Sequence, residues 1–398
     1  MRIAYLLPDP GIPVGGTKGA SIHVAEACSA LHARGCTVLL VAMSAAGDPP
    51  PGVELVHLDS GPLPKGAEGE SQRLAAVERF LRRAESTVAA FDADLIYERF
   101  SLFAGDGGAL AARLRIPRLV EVNAPVAAER ARHFGLTRRA VAEALERRAL
   151  AGASVIAVSQ PLTAWALERG AARVRVVPNG ANVDRFAPER IGGQARAVRS
   201  ALELDRAEVI GFAGSLKPWH GVHVLLEAAG RLAAVRPLLR VLIVGDGPLL
   251  PALQAGIPEP LLDRVRFTGA VPGSAVPAHV GAFDIATAPY LPSDDFYFSP
   301  LKVVEAMAAA RPVVASRFPS IERMLGATGR LVQPGDPVAL AGALADLLDH
   351  PSATREMARA ARSRACARFT WTAVAEQILA AAGAAACPSP IRRLKEVG

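Results

Sequence analysis

Four cysteines in 398 residues, Cys28, Cys36, Cys366 and Cys387, supply neither a disulfide framework nor a CxxC metal or redox motif. A reducing compartment suits so sparse a set. Aromatic residues are scarce at 5%, and no basic-aromatic strand, zinc-finger spacing or helix-turn-helix pattern accompanies the net charge of +7 and pI near 9.6. Nucleic acid is therefore not the expected partner. The charge remains compatible with phosphorylated substrates or an anionic membrane surface. No apolar run approaches the length that spans a bilayer. The opening "MRIAYLLPDPGIP" is a strand broken by Pro and Gly, too short for a secretory signal. A cytoplasmic protein, or one at the inner face of the membrane, is expected.

What is present is alternation. Apolar content of 51% and charged content of 21% are ordinary for a globular chain, and 398 residues suffice for two cores. "RIAYLLP" precedes an amphipathic stretch, "SIHVAEACSALHARG", with Gly35 at its C-terminal cap. The strand candidates "TVLLVAM", "VELVHL", "DLIYER", "RLVEVN", "SVIAVS" and "RVRVVP" follow, separated by helical patterns. Near-continuous apolar strands of this kind predict a parallel sheet covered on both faces. The pattern pauses at "NGANVDRFAPERIGG", 179–193, read as an interdomain linker, and then restarts with "EVIGFAGS", "LRVLIVGDG", "RVRFTG", "FDIATAPY", "RPVVAS" and "GRLVQPG". Helices are expected at about 336–349, 352–368 and 371–385. The class is α/β, with two doubly wound, Rossmann-like halves, and ligands are expected beyond the carboxyl ends of their strands.

The informative motifs lie in loops that follow strands. In "VGGTKGASIHV", Gly19 stands where helix amides can hold an anion, with Lys18 adding charge; the glycine spacing is not GxGxxG, and a plain flexible loop is an equal reading. In "FAGSLKPWHGVHVLLEAA", Lys217 and His220 sit at a helix N-terminus, where cations oppose the dipole, so a bound anion explains them best. Trp219 there is read as a packing anchor and His223 as structural. The "IVGDGP" turn suits close approach of backbone to a ligand, as any tight strand-to-helix turn would. In "SPLKVVEAMAAARPVVAS", Ser299 fits an N-cap and Pro300 a first turn. Lys302 and Glu305 then share a helix face that is either an ordinary surface pair or part of a site.

Together, Gly19, "VPNGANVDRF", "GSLKPWHG", "IVGDGP", "VRFTGAV" and "SPLKVVEAMAAARPVVAS" resemble the retaining glycosyltransferases of family 4, in that family's order across nearly the whole chain. The resemblance implies a GT-B fold: two Rossmann-like domains facing across a cleft, with C-terminal helices packing back toward the N-domain. The expected divisions are an acceptor-side domain over 1–185, a nucleotide-sugar-binding domain over 186–370, and a crossover helix and tail over 371–398. Glu305 matches the last residue of the family's E-x7-E motif and is expected to bind the ribose hydroxyls. Backbone around Ser299, Pro300 and Leu301 is expected to lie against diphosphate and sugar, with Gly214 and Ser215 nearby and Gly19 approaching from the other domain. Gly245, Asp246, Gly247 and Val271 would hold the base.

Departures from the family pattern are specific. Its first motif Glu falls on Tyr297, which leaves one sugar contact absent or supplied by Asp294 or Asp295. Its diphosphate-gripping Arg and Lys fall on Ser215 and His220, with Lys217 and Lys302 the natural substitutes. Its usual His is Asn123, expected to orient sugar or acceptor because an amide is no general base. Lys18, His23 and Glu121 are expected on the acceptor side.

The activity implied is metal-independent transfer of a sugar from a nucleoside diphosphate sugar, uridine being the expected base, to an acceptor hydroxyl. No cofactor is expected. The acceptor is left as a glycan, a lipid-linked molecule or a small metabolite. Lys217, Lys302 and a protonated His220 would stabilise the departing diphosphate. Two rivals are another GT-B enzyme, inverting or epimerising, for which Glu121 and Glu129 keep a base available, and a non-catalytic sugar-nucleotide-binding scaffold. The basic stretch "ERARHFGLTRRAVAEALERRALAG" is read either as a solvated charged helix or as a peripheral contact with anionic membrane, a choice settled by co-flotation with anionic vesicles.

Overall fold

The computed structural model describes residues 1–64 and 66–386 and divides the chain into two compact units, one of Met1–Pro178 with the segment from Trp371, the other of Asn179–Thr370. Cys387 and the tail beyond it lie outside the described residues. Cys28, Cys36 and Cys366 are free thiols.

The first unit is built on seven parallel strands: β1 (Arg2–Leu7), β2 (Thr37–Ala42), β3 (Val53–His57), β4 (Leu95–Arg99), β5 (Arg118–Val122), β6 (Ser154–Ala157) and β7 (Arg173–Val176). Their order across the sheet is β3-β2-β1-β4-β5-β6-β7. Between them run α1 (Gly19–Ala33), α2 (Gly66–Ala90), α3 (Gly107–Leu114), α4 (Val126–Phe134), α5 (Arg139–Leu150) and α6 (Pro161–Glu168). Ala4, Leu6, Leu39, Val41 and Ile96 bury one sheet face against Val77, Phe80, Leu81 and Leu110 of α2 and α3. The basic stretch is not one helix. Gly135, at φ 74°, ends α4 before α5 begins.

The second unit opens with α7 (Pro188–Ala201), then β8 (Glu208–Ala213), α8 (Val222–Ala233), β9 (Leu239–Val244), α9 (Leu250–Ala255) and β10 (Val265–Phe267). It continues with α10 (Val276–Gly281), β11 (Ile285–Ala288), α11 (Leu301–Ala308), β12 (Val313–Ser316), α12 (Pro319–Leu325), β13 (Arg330–Val332), α13 (Pro337–Asp349) and α14 (Pro351–Arg368). Its six parallel strands are ordered β10-β9-β8-β11-β12-β13. The last helix, α15 (Trp371–Ala386), returns to the first unit and packs on α1, β5 and β6. No described helix is long and apolar enough to cross a membrane.

Part of the expected linker is helical. Residues 188–201 form α7 because Pro188 occupies its first turn and Ile191 and Ala195 bury against Gly281 of α10, where a Cβ would come within 2.9 Å of Ile191. Gly193 faces open space and Gly192 would meet only the end of Arg196 at 3.8 Å, so the pair is merely tolerated.

In both sheets the strand order reverses beside the first strand of the unit, between β1 and β4 and between β8 and β11. Such switch points open crevices at the carboxyl ends of strands. The Gly15–Gly19 loop follows β1, and the Gly214–His220 loop follows β8.

Beneath the first of these lies a buried polar cluster centred on Glu121, which is 2% exposed. Its carboxylate accepts hydrogen bonds from Tyr5 (2.9 Å), Tyr97 (3.0 Å), Arg99 (3.3 Å) and His23 Nε2. His23 in turn packs edge-on against Trp371 of α15, with ring centroids 5.1 Å apart. Burial by itself would raise the Glu121 pKa. The charge and hydrogen bond of His23, with Arg99 and Tyr5, outweigh it and hold the carboxyl down to about 2. A group whose folded pKa is depressed stabilises fully above its unfolded value near ~4.3, and that contribution fades as pH falls toward 2. Glu121→Gln, which leaves Arg99 without its counter-charge, is therefore expected to cost about 3–5 kcal/mol at neutral pH. In urea unfolding the gap between variant and wild type should narrow steadily from about pH 5 downward; a gap independent of pH would contradict the assignment.

Candidate active site

The second unit brings most of the expected site residues together at the carboxyl ends of β8 and β9. Backbone makes the closest approaches. Gly214, at φ 141°, donates to Val244 O (2.9 Å), Leu216 N donates to Asp246 O (2.9 Å), and Gly245 N donates to Gly269 O (3.0 Å). A Cβ on Gly245, itself at φ 133°, would lie 2.1 Å from Gly214 O, and one on Gly247 would lie 2.6 Å from Leu216 N. Glycine at 245 and 247 is thus what lets the "GSLKPWHG" and "GDG" loops touch. Val271 packs half-buried against the core beside them.

Lys302 is the second element. It sits in the first turn of α11, with Nζ buried and without a hydrogen-bond partner. Ring faces surround the ammonium instead: Phe212 at 4.0 Å and Tyr290 at 5.2 Å from the centroids. Gly214 makes room for it, since a Cβ there would stand 3.1 Å from both Lys302 Cε and Nζ. Burial pushes the Lys302 pKa down to about 7, against the opposing attraction of Glu305.

Ser299 does not cap α11. The helix begins at Leu301, Pro300 is its N-cap at φ −74° and ψ 114°, and no side chain caps it. Ser299 Oγ instead accepts from Asn179 N (2.9 Å), while Asn179 Nδ2 donates to Ser299 O (2.6 Å). The hydroxyl is spent on a segment 120 residues away, and the first-turn amides of α11 are left uncapped beside Lys302.

His220 also departs from expectation. Its Nδ1 lies 2.5 Å from Ser215 O, and a carbonyl only accepts, so Nδ1 carries the proton and Nε2 the lone pair. Burial, then the charge of Lys302, pushes its pKa well below the usual histidine value despite that bond. His220 is therefore a neutral acceptor and supplies no positive charge. Lys217 lies 6.0 Å from the Trp219 ring. Trp219 stacks with Phe298, and Phe298 with Tyr290, at interplanar angles of 7° and 18°. Tyr297, 7% exposed, leans on Phe298 at 4.4 Å, whereas Asp294 and Asp295 are exposed. Glu305 is half-buried one turn along α11 from Lys302.

In the first unit the expected residues separate. Gly19 begins α1 with Lys18 as a non-capping N-cap, both exposed, so that helix end is open. Asn123 follows β5 with its Nδ2 buried and unpartnered. His23 and Glu121, in contrast, lie in the buried cluster and bond each other. Among the described residues no group of three His, Cys, Asp or Glu is placed to share a metal ion. Phe212, Tyr290 and Asn179 went unremarked as site residues in the sequence, although "GFAGS", "APY" and "PNG" each end a strand.

Comparison with known proteins follows the same lines. A family model described as Glycosyltransferase Family 4 matches residues 17–185, and one described as Glycosyl transferases group 1 matches 207–350. A D-inositol 3-phosphate glycosyltransferase of Acidothermus cellulolyticus is 30% identical over 397 residues, covering 92% of this chain and 85% of that protein. A phosphatidyl-myo-inositol mannosyltransferase of Mycobacterium leprae is 35% identical over 230 residues, and the match spans 56% of this chain and only 57% of that relative. The crystal structure of Anabaena HepE in complex with UDP and glucose shares the fold, with a TM-score of 0.72 at 23% identity over 95% of this chain and 98% of that one.

An ammonium with a pKa near 7 is mostly neutral at pH 8 and becomes charged when an anion arrives. Pyrophosphate binding at pH 8 is thus expected to draw a proton from buffer in the wild type. Calorimetry in two buffers of different ionisation enthalpy measures it, and Lys302→Met should lose that uptake. Equal proton exchange in both proteins would place the anion away from Lys302.

Proposed function

The chain belongs to the family 4 glycosyltransferases, and from that premise we propose that it moves a sugar from a nucleoside diphosphate sugar to an acceptor hydroxyl with retention of anomeric configuration. The observation that carries this reading is the unpartnered Lys302 ammonium beside the uncapped start of α11. Negative charge grows on the diphosphate as the glycosidic bond breaks, and fixed donors in a dry site stabilise that charge. Lys302 and the first amides of α11 are such donors, and Lys217 adds positive charge at the rim. Neutral His220 offers Nε2 to a sugar or ribose hydroxyl. Glu305 accepts from the ribose, and the Gly245–Gly247 turn lies against the base. UDP in the HepE complex supports uridine as that base.

Retention is favoured over inversion by the state of Glu121. An inverting enzyme needs a base on the acceptor side, and a buried carboxylate with a pKa near 2 and four donors is a poor one. In the retaining reading a leaving phosphate oxygen takes the acceptor proton on the same face, and Asn123 orients a substrate with its free Nδ2.

For the acceptor we place a phosphate-bearing polyol in a cavity of about 390 Å³ in the first unit. Ser44, Asp59 and Ser60 line it with Arg73 and Arg130, and Arg130 Nε is buried and unpartnered. The names of the inositol-directed relatives support this class. Phe134 and Val141, 52% and 39% exposed among the arginines of α4 and α5, support peripheral contact with anionic lipid at the inner face of a cytoplasmic membrane.

A panel of nucleoside diphosphate sugars, assayed for nucleotide release with a phosphorylated polyol present, tests the reading. Lys302→Ala and Glu305→Ala should each lower turnover of the active donor by about 10²-fold or more while thermal unfolding stays cooperative. Wild-type turnover in both variants would remove these residues from the site, and release of no nucleotide from any donor would favour the binding-protein alternative.

A further inference from the structure

The end of the second sheet opposite to the site carries a cavity of its own, of about 540 Å³. It opens at the amino ends of β8, β11 and β12, between the close of α13 and the start of α14. Three arginines line it: Arg311, Arg355 and Arg359. Of its two acids, Glu208 pairs with Arg236 at 3.1 Å, an arginine it shares with Asp349, and Asp284 pairs with Arg199 at 2.6 Å and also attracts Arg311. Among the described residues, the Arg311 side chain bonds the carbonyls of Phe283 and Ala309, and Arg355 bonds the Ser352 hydroxyl.

This arrangement gathers positive charge. Arg355 and Arg359 stand one turn apart on α14, where like charges repel. Arg355 also lies near the start of a helix that has no acid in its first turn and no side-chain cap, so it opposes the dipole. Other arginines of α14 have structural duties, Arg362 bonding Ala308 O and Arg364 bonding Met324 O. Arg355 and Arg359 have none comparable. Leu347 and Leu348 add an apolar wall.

We propose that this basal cavity is a second anion site, which takes a small organic phosphate whose phosphoryl group meets Arg311, Arg355 and Arg359 and whose apolar part rests on Leu347 and Leu348. The site is separate from the Lys302 region, being at the other end of the same strands. It abuts the Ala310–Pro312 loop that joins α11 to β12, so an occupant touches the far end of the helix that carries Lys302.

Calorimetric titration of the full chain with phenyl phosphate tests it. Arg355 and Arg359 are exposed, so Arg355→Ser/Arg359→Ser should fold normally, which thermal unfolding checks. The double variant is expected to bind at the basal cavity at least about tenfold more weakly than the wild type, because two charge-assisted contacts are lost. Lys302 is itself a phosphate site in this account, so Lys302→Ala should lose one binding event and keep the one that depends on Arg355 and Arg359. Absence of binding by the wild type at millimolar phenyl phosphate would overturn the proposal. So would unchanged binding by the folded double variant, or loss of the arginine-dependent event in Lys302→Ala.

Discussion

Lys302 brings an ammonium into a place where water is excluded and no protein acceptor replaces it. Much of the second unit's architecture follows from accommodating that charge. Phe212 on β8 and Tyr290 after β11 offer ring faces, which compensate part of the lost hydration. Gly214 holds a φ of 141°, which side chains rarely adopt, and a Cβ there would lie 3.1 Å from Nζ. His220 is driven neutral beside it. The uncapped turn of α11 leaves further donors next to the ammonium. A donor-rich, acceptor-poor pocket of this kind is unfavourable empty and favourable around a diphosphate, which is the condition for binding energy to be spent on a leaving group.

The first unit solves the opposite problem. Its buried Glu121 is fully supplied with donors, and the cluster ties β1, β4 and β5 to α1. Through His23 and Trp371 it also ties in α15, so the last described helix is anchored at its first residue to the first unit. Glu121 thereby belongs to the framework, whereas Asn123, just after β5, keeps a buried Nδ2 without a hydrogen-bond partner.

The alternation of apolar runs and glycine turns made both parallel sheets legible, because a strand buried on both faces has no polar side to disguise it. Gly245 and Gly247 were legible as close-approach positions, because a tight Gly-Asp-Gly turn after a strand suits backbone contact, whereas the need for glycine at 214 shows in its φ of 141°. What stayed hidden depends on contacts distant in sequence. Ser299 looks like a cap until Asn179 takes its hydroxyl. His220 looks like a cation until a carbonyl five residues back fixes its tautomer and Lys302 repels its proton. The Gly192-Gly193 pair looks like a linker until α10 packs on α7. His23 and Glu121 look like open polar residues because nothing in "EVN" or "SIHV" tells of Tyr5, Tyr97 and Arg99 around them.

The central claim is that the Lys302 ammonium exists to meet a diphosphate, and a crystal structure of the chain with a bound uridine diphosphate sugar tests it most directly. The account predicts a phosphate oxygen about 2.8 Å from Lys302 Nζ, the charge-assisted distance, with the first amides of α11 on the same phosphate group. A diphosphate bound elsewhere, with Nζ still held only between Phe212 and Tyr290, would contradict it.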